Sequence, residues 1–325
     1  MKKTIMLSVL AAAVLLAPPT AAAPKQNVDA EADIDYRHDF PLLKKQHGTR
    51  VLIDRFHETI YQEEGFATGA HVMLEIMGRD GFSVAYADAA LSAATLEDSD
   101  VLIIHGLPNE KSELPNGAVF WKSPLSGEEI EAIVRFVDNG GGLYLSLSHF
   151  PNGSGAAPLL EAFAVKFRDG YVYSEEYPSF NDPEDGRCSH YFGMSREDGT
   201  LNPEHPLIEN GLKVEKVDYL CGAAIFREPE DAVLSFPPGT ANHFHGKASE
   251  GDVYETSDHY AGMIAFDYGK GKVVVSGDQG MFRDFIFTFD TGERVYVTIT
   301  SPDNDNANLF VNMMRWLSPK IGTRE

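Results

Sequence analysis

One stretch of the sequence, residues 126–150 (SGEEIEAIVRFVDNGGGLYLSLSHF), constrains the fold more than any other. Ser126, followed three residues later by Glu129, has the spacing of a capping box that begins a helix. The apolar residues that follow recur at i, i+3, i+4 and i+7 and form one helical stripe: Ile130, Ile133, Val134 and Val137. The glycines at 140–142 end the helix, because glycine adopts the left-handed conformation found there. The apolar run 143–147 is then typical of a strand covered on both faces.

The same alternation of strands and helices continues along the chain. Further strands are predicted at 50–54, 82–86, 101–105, 171–173 and 232–236, and further helices at 68–77, 91–96, 157–163 and 306–317, the last capped by Asp305 or Asn306. The runs 262–267 and 272–276 flank a glycine turn and predict a hairpin, and the alternating segment 285–300 predicts a second hairpin that lies over the sheet edge as a flap. We therefore predict an α/β fold with a doubly wound, mostly parallel sheet.

The chain divides into three parts. Residues 1–23 have the charged start, apolar centre and small-residue cleavage site of a signal peptide, so we expect a periplasmic or secreted protein without a membrane anchor. Residues 24–48 are polar and predict an extended N-terminal arm. Residues 49–319 form one domain, with a loop-rich insert at about 165–200 and an irregular, histidine-bearing loop at 242–257.

The charge of the chain limits its partners. It has 49 acidic residues against 27 Lys and Arg, a formal net charge of −22. Nucleic acids and anionic membranes are bound by patches of Lys and Arg, so the composition argues against both. The same acidity also keeps an exported protein soluble, and it does not identify a ligand. We expect no cofactor.

Polar residues follow the predicted strands at the points where the strands end. In an open α/β sheet these ends meet at one edge, where ligands bind. A mixture of donors and acceptors suits a hydroxylated ligand, because each sugar hydroxyl both donates and accepts a hydrogen bond. The expected ligand-binding residues are Asp54, Arg55, His57, His105, Ser148, His149, Asp278 and Gln279, with Asp88 after the second strand. Several of them fit turn or capping roles as well, above all Asp278 within Gly-Asp-Gln-Gly.

Six segments, in this order and spacing, resemble a known superfamily. They are VLID at 51–54, DSDVLIIHG at 98–106, the helix–glycine–strand stretch at 126–147, EHPLIENGL at 204–212, GKGKVVVSGDQGMF at 269–282 and NANLFVNMMRWL at 306–317. Together they resemble class I glutamine amidotransferase-like domains, closest to the branch with the GIFT domain of intraflagellar-transport proteins, with trehalose-utilisation (ThuA-like) proteins as cousins. The resemblance covers about 50–150 and 200–318 and implies a flavodoxin-like α/β sandwich. It also implies sugar binding or a non-catalytic scaffold role, as is thought for most members of these branches.

The chain departs from the superfamily where the ancestral chemistry would lie. Class I amidotransferases place a nucleophilic cysteine at a glycine-flanked elbow after the strand that corresponds to 143–147. Here the sequence is Ser-Leu-Ser-His-Phe at 146–150, without the cysteine or the glycines. The His-x-Glu pair expected near the chain end is also missing after Gly277. We therefore expect no glutaminase activity by that mechanism.

Two functions remain open at this point, with a metal site as a third alternative. The first is an exported domain that binds a carbohydrate at the carboxyl edge of its sheet without turnover. The second is a polysaccharide-directed hydrolase or lyase, with His149 as base and Asp278 as its partner; Ser148 beside His149 is no nucleophile pair, because sequence neighbours rarely reach each other. His243 and His245 have a spacing that aligns both rings on a strand. Their polar, glycine-bearing flanks indicate a loop instead, and we assign no metal site.

We predict that Cys188 and Cys221, the two cysteines of the chain, form a disulfide that pins the loop-rich insert to the sheet. In an oxidising compartment such a pair is more often bonded than free. The expected stabilisation is about 3–4 kcal/mol in the chain-entropy model. Alkylation mass spectrometry of non-reduced, periplasm-expressed protein checks this, and two alkylated thiols would contradict it.

Overall fold

Strands and helices alternate along the chain in a computed structural model, which describes residues 31–32, 35–43, 47–57, 70–107, 110–116, 119–149, 153–168, 170–174, 191–220, 222–243, 253–256, 260–288 and 291–321. The strands are β1 (Glu31–Ala32), β2 (Arg50–Asp54), β3 (Ser83–Ala87), β4 (Val101–His105), β5 (Glu110–Glu113), β6 (Val119–Lys122), β7 (Gly142–Ser146), β8 (Lys166–Arg168), β9 (Tyr171–Tyr173), β10 (Tyr191–Ser195), β11 (Lys216–Leu220), β12 (Ala224–Phe226), β13 (Ala232–Ser235), β14 (Ala241–His243), β15 (Val253–Thr256), β16 (Ala261–Tyr268), β17 (Gly271–Ser276), β18 (Asp284–Thr288) and β19 (Arg294–Thr298). The helices are α1 (His71–Asp80), α2 (Ala93–Leu96), α3 (Gly127–Asp138), α4 (Ala157–Ala162), α5 (Pro206–Glu209) and α6 (Asn306–Leu317), with short 3-10 turns at Ser154–Ala156 and Pro229–Asp231.

A mixed sheet of nine strands forms the centre of the described structure. Its order is β3-β2-β4-β7-β17-β16-β12-β8, and β13 also pairs with β16. The first five strands are parallel to one another, and the other four are joined through antiparallel pairs. The parallel strands have the spatial order 2-1-3-4-5 of flavodoxin-like folds. The predicted doubly wound α/β fold is therefore confirmed, and so is the hairpin at 262–276, which is β16 with β17.

Helices cover both faces of the parallel strands. Along β2, Val51 and Ile53 face one core cluster with α1 and α6, whereas Leu52 faces the other cluster with α3 and α4. This alternation follows from the period of two along a strand. All five residues of β4 and of β7 are buried, as expected for strands between two helical layers.

Smaller sheets surround the central one. They are the pairs β5–β6 and β10–β11 and the three-stranded sheets β15-β14-β9 and β1-β18-β19. The predicted hairpin at 285–300 corresponds to β18 and β19, and its role as a flap stays a prediction. The sequence analysis missed β1, β5, β6, β10 and β11 in these sheets, and β8 and β12 in the central sheet. The irregular loop predicted over 242–257 is wrong at both ends, because β14 and β15 pair there.

Helix ends follow local chemistry in two cases and depart from it in one. The capping box of α3 is present, with Ser126 and Glu129 bonded reciprocally. Helix α1 ends at Gly81, which has the left-handed conformation. Asp305 precedes α6 as predicted, but its side chain does not cap that helix. Its carboxylate accepts hydrogen bonds from the amides of Glu215 and Lys216 instead.

Several predictions fall on parts of the chain that the structure does not describe. The signal peptide at 1–23, both cysteines of the predicted disulfide, His245 and the side chain of His243 lie outside the described residues. Among the described helices, none is long and apolar enough to cross a membrane.

A buried ion pair joins α1 to α6. Arg315 donates two hydrogen bonds to Asp80, with Nε–Oδ2 and Nη2–Oδ1 distances of 2.8 and 2.7 Å, and a third to the carbonyl oxygen of Pro41. The side chain of Asp80 is 1% exposed. The same guanidinium therefore holds the N-terminal arm against the end of α1.

We predict that Arg315→Met lowers the free energy of unfolding by about 3–5 kcal/mol, because it leaves the Asp80 carboxylate buried without its charge partner. The matched control is Arg135→Met, which breaks the exposed i,i+4 pair with Glu131 and should cost less than about 1 kcal/mol. Urea unfolding of both variants measures the difference. Equal effects would contradict the structural role of the Asp80–Arg315 pair.

Candidate functional site

The carboxyl ends of the parallel strands define the candidate site. The chain proceeds from β2 to β3 on one side and then to β4, β7 and β17 on the other, so the direction of winding changes between β2 and β4. Ligands bind at such a switch point in doubly wound folds. Asp54 is the last residue of β2 and His105 the last of β4, so two of the predicted site residues flank the switch point.

Three buried side chains, those of Asp54, His57 and Glu129, form a hydrogen-bonded row at the end of β2. The Nδ1 atom of His57 lies 2.9 Å from Asp54 Oδ2, and its Nε2 atom lies 2.9 Å from Glu129 Oε1. Asp54 also accepts from the amide of Phe56, and Glu129 from the amide of Leu91. Because both ring nitrogens face carboxylates, the geometry favours the doubly protonated imidazolium.

The pKa values in this group follow from burial and pairing. Burial alone would lower the pKa of His57, but the hydrogen bond and charge of Asp54, and then those of Glu129, outweigh burial and raise it. Burial alone would raise the pKa of Glu129, but hydrogen bonds from Ser126 and Leu91 and the charge of His57 lower it. The group thus fastens the end of β2 to the start of α3, and we assign it a positioning role.

The exposed part of this edge lies beside β3. Arg55 forms a two-pronged ion pair with Asp88, at 2.6 and 2.8 Å, and its guanidinium carbon lies 4.7 Å from the centre of the Tyr86 ring. Phe56 and Tyr86 are 49% and 37% exposed. These four residues, Arg55, Phe56, Tyr86 and Asp88, are called the β2–β3 patch below.

The other half of the edge is filled by the chain itself. After β17, residues 277–282 fold back over the ends of β4, β7 and β17. His105 Nε2 lies 3.0 Å from the carbonyl oxygen of Gln279, and Ser276 Oγ donates to that of Asp278 at 3.0 Å. Gly106 has a φ of +81°, and a Cβ atom there would lie 2.5 Å from Gln279 Nε2, so glycine is required. Burial lowers the pKa of His105 to about 3, which keeps its imidazole neutral.

The carboxylate of Asp278 is bonded to main-chain amides. Its two oxygens accept from the amides of Leu220 and Gly280, each at 2.5 Å. The bond to Gly280 is the Asx turn that the Gly-Asp-Gln-Gly sequence allows. Burial raises the pKa of Asp278 to about 7, although both amides oppose the rise.

Sheet pairing continues one residue into the position of the missing cysteine elbow. The amide of Leu147 donates to the carbonyl oxygen of Ser276 at 2.7 Å, so pairing with β17 continues past the end of β7. Ser148 is buried and His149 half-buried. A nucleophile elbow needs a sharp, strained turn at this point. Residues 146–148 do not provide that turn.

The structure thus places the predicted site residues in two groups. Asp54, Arg55, His57 and Asp88 lie beside β2 and β3, whereas Asp278 and Gln279 belong to the 277–282 segment, which contacts His105 at the end of β4. Sequence analysis missed Glu129 as the partner of His57, because its capping-box spacing already explained it, and it missed the two exposed aromatic rings. Within the described ranges, no three His, Cys, Asp or Glu side chains are arranged to hold a metal ion.

Comparisons with known proteins identify the fold. No protein-family model and no curated protein matches the chain. Among solved structures, the N-terminal domain of mmIFT52 matches with a TM-score of 0.52 at 15% identity, over 85% of this chain and 100% of that one. A ThuA-like protein from Bacteroides uniformis ATCC 8492 matches with a TM-score of 0.43 at 14% identity, over 88% of this chain and 100% of that one. At 15% identity, the match to the mmIFT52 domain shows a shared fold.

We predict that the His57 group makes stability depend on pH in the alkaline range. Since folding raises the pKa of His57, its contribution is complete below the ordinary value of 6.5 and is lost as the pH rises through the folded value. The wild type should therefore lose free energy of unfolding between about pH 6 and about pH 9, and His57→Gln should lose less.

Urea unfolding at both pH values measures this loss. The control is His38→Gln, because burial lowers the pKa of His38 and its contribution is lost in the opposite direction, as the pH falls. That variant should keep the alkaline loss of the wild type. An alkaline loss unchanged in His57→Gln would contradict the assignment.

Proposed function

We propose that this chain is an exported protein of the GIFT-like branch that binds a neutral carbohydrate at the carboxyl edge of its sheet without turning it over. The observation that carries the proposal is the β2–β3 patch. It exposes two aromatic rings and a paired guanidinium and carboxylate beside the switch point. The six sequence segments support the choice of branch, and the charged and apolar start of the chain supports export.

The chemistry of the patch suits a sugar. Sugar rings present apolar C–H faces that pack on flat aromatic side chains, and Phe56 and Tyr86 offer such faces. Their hydroxyls both donate and accept, and the Arg55–Asp88 pair supplies donors and acceptors at fixed positions. The pair is partly exposed, so a ligand reaches it at low desolvation cost.

Binding is favoured over catalysis because the buried polar groups at this edge bond to other groups of the protein. His57 bonds to both Asp54 and Glu129, and Asp278 bonds to main-chain amides. A hydrolase needs a base or nucleophile that faces its substrate within hydrogen-bond reach. The rival proposal, a polysaccharide hydrolase or lyase, rests on His149, which is half-buried at the end of β7.

We predict that Phe56→Ala and Tyr86→Ala each weaken glycan binding about five- to tenfold, because each removes a stacking surface worth about 1 kcal/mol. Calorimetric titration of a neutral glycan panel measures the affinities. The matched control is Leu42→Ala, since Leu42 is equally exposed but lies in the arm at the opposite edge of the sheet. Equal losses in all three variants would contradict the patch, and no binding by the wild type would contradict the proposed function.

Overnight incubation of the same panel tests the rival proposal. We expect intact glycans after incubation with wild type and with His149→Ala, because the patch lacks a base aimed at a ligand. Chromatography of the panel detects any product. Product formed by the wild type and lost in His149→Ala would establish the hydrolase or lyase instead.

A further inference from the structure

The guanidinium of Arg55 is held on one edge and one face by residues at the end of β3. Its Nε and Nη2 atoms lie 2.6 and 2.8 Å from the two carboxylate oxygens of Asp88. Its carbon atom lies 4.7 Å from the centre of the Tyr86 ring. The main chain is fixed as well, because the amide of Arg55 donates to the carbonyl oxygen of Ala87 at 3.0 Å. The neighbouring strand therefore sets the position of this cation.

Asp88 occupies the edge of Arg55 that is best suited to bind a ligand carboxylate. The Nε and Nη2 atoms of an arginine form a planar fork, which donates two parallel hydrogen bonds to a carboxylate. The hydrogen bonds from Arg55 lower the pKa of Asp88, so its carboxylate stays charged at neutral pH. An anionic ligand can use this fork only by displacing a carboxylate that the chain itself holds in place.

A neutral hydroxyl does not have to displace Asp88. The side chain of Asp88 is 64% exposed, and its oxygens have lone pairs left to accept a hydrogen bond from a hydroxyl. A ligand carboxylate at the same place would instead be repelled by the charge of Asp88. The ion pair therefore disfavours anionic ligands in two ways, by competition for Arg55 and by repulsion.

We infer that Asp88 determines the charge class of the ligand at the β2–β3 patch: its carboxylate occupies the fork of Arg55, so that the patch takes neutral glycans and rejects those with a uronic acid. Without the Asp88 charge, the same fork binds the carboxylate of the uronic acid. This inference rests on the proposed function, because it assigns a specificity-determining residue to the same patch.

The test uses two forms of one ligand. The neutral oligosaccharide of the panel that the wild type binds most tightly is compared with the same oligosaccharide after oxidation of its terminal sugar to a uronic acid. Asp88→Asn keeps the shape of the side chain and removes its charge. In calorimetric titrations at neutral pH, we expect this variant to bind the uronic-acid form at least about tenfold more tightly than the wild type does.

Two further variants separate the fork of Arg55 from a general change in net charge. Asp98→Asn removes a carboxylate from another exposed arginine pair, 2.8 Å from Arg50 Nη1 at the start of β2, and should gain no affinity for the uronic-acid form. Arg55→Gln, added to Asp88→Asn, should abolish the gain, because the fork that binds the uronic acid is then missing.

The outcomes separate this inference from the proposed function. No gain in Asp88→Asn, an equal gain in Asp98→Asn, or a gain that survives the loss of Arg55 overturns the inference and leaves neutral glycan binding standing. Equally tight binding of both ligand forms by the wild type overturns it as well. If Asp88→Asn fails to fold, Asp88→Ser takes its place in the same titrations. Failure of the wild type to bind any neutral glycan refutes the proposed function, and the inference with it.

Discussion

Burial of the central parallel strands on both faces is the constraint on which the rest of the structure depends. Strands β2, β4, β7 and β17 present apolar side chains to helices on either side, so polar groups are confined mostly to their ends. The two helical layers follow directly, because each strand face must be covered. The carboxyl edge becomes the place where charged groups from distant parts of the chain meet.

At that edge, most buried polar groups bond to the chain itself. His57 is held between two carboxylates, Asp278 accepts main-chain hydrogen bonds, and the carbonyl oxygen of Gln279 lies against His105. Each such group would cost free energy if left unpaired in the interior. The bonding therefore makes half of the edge a rigid, closed structure. In the function we propose, the ligand contacts the partly exposed β2–β3 patch.

Three acidic groups at this edge differ because their surroundings differ. Glu129 accepts several hydrogen bonds and has a lowered pKa, despite its burial. Asp278 also accepts main-chain bonds, but complete burial raises its pKa to about 7. Asp284 is also buried, and its burial raises its pKa to about 6, although main-chain amides, its own first, oppose the rise. Local environment, more than residue type, decides which carboxylate carries charge and what it can repel or attract.

The sequence by itself determined the elements whose signals are local: the capping box and apolar stripe of α3, the buried runs of the parallel strands, the β16–β17 hairpin and the α/β class. Tertiary structure alone decided which polar side chains meet. The pairing of His57 with Glu129 and the closure of the edge by residues 277–282 join residues far apart in the chain. Periodicity reports which way a side chain faces, but a contact between distant segments depends on how whole elements pack. Strands β5, β6, β10 and β11 of the smaller sheets were missed for the same reason, since short strands gain their stability from their partners.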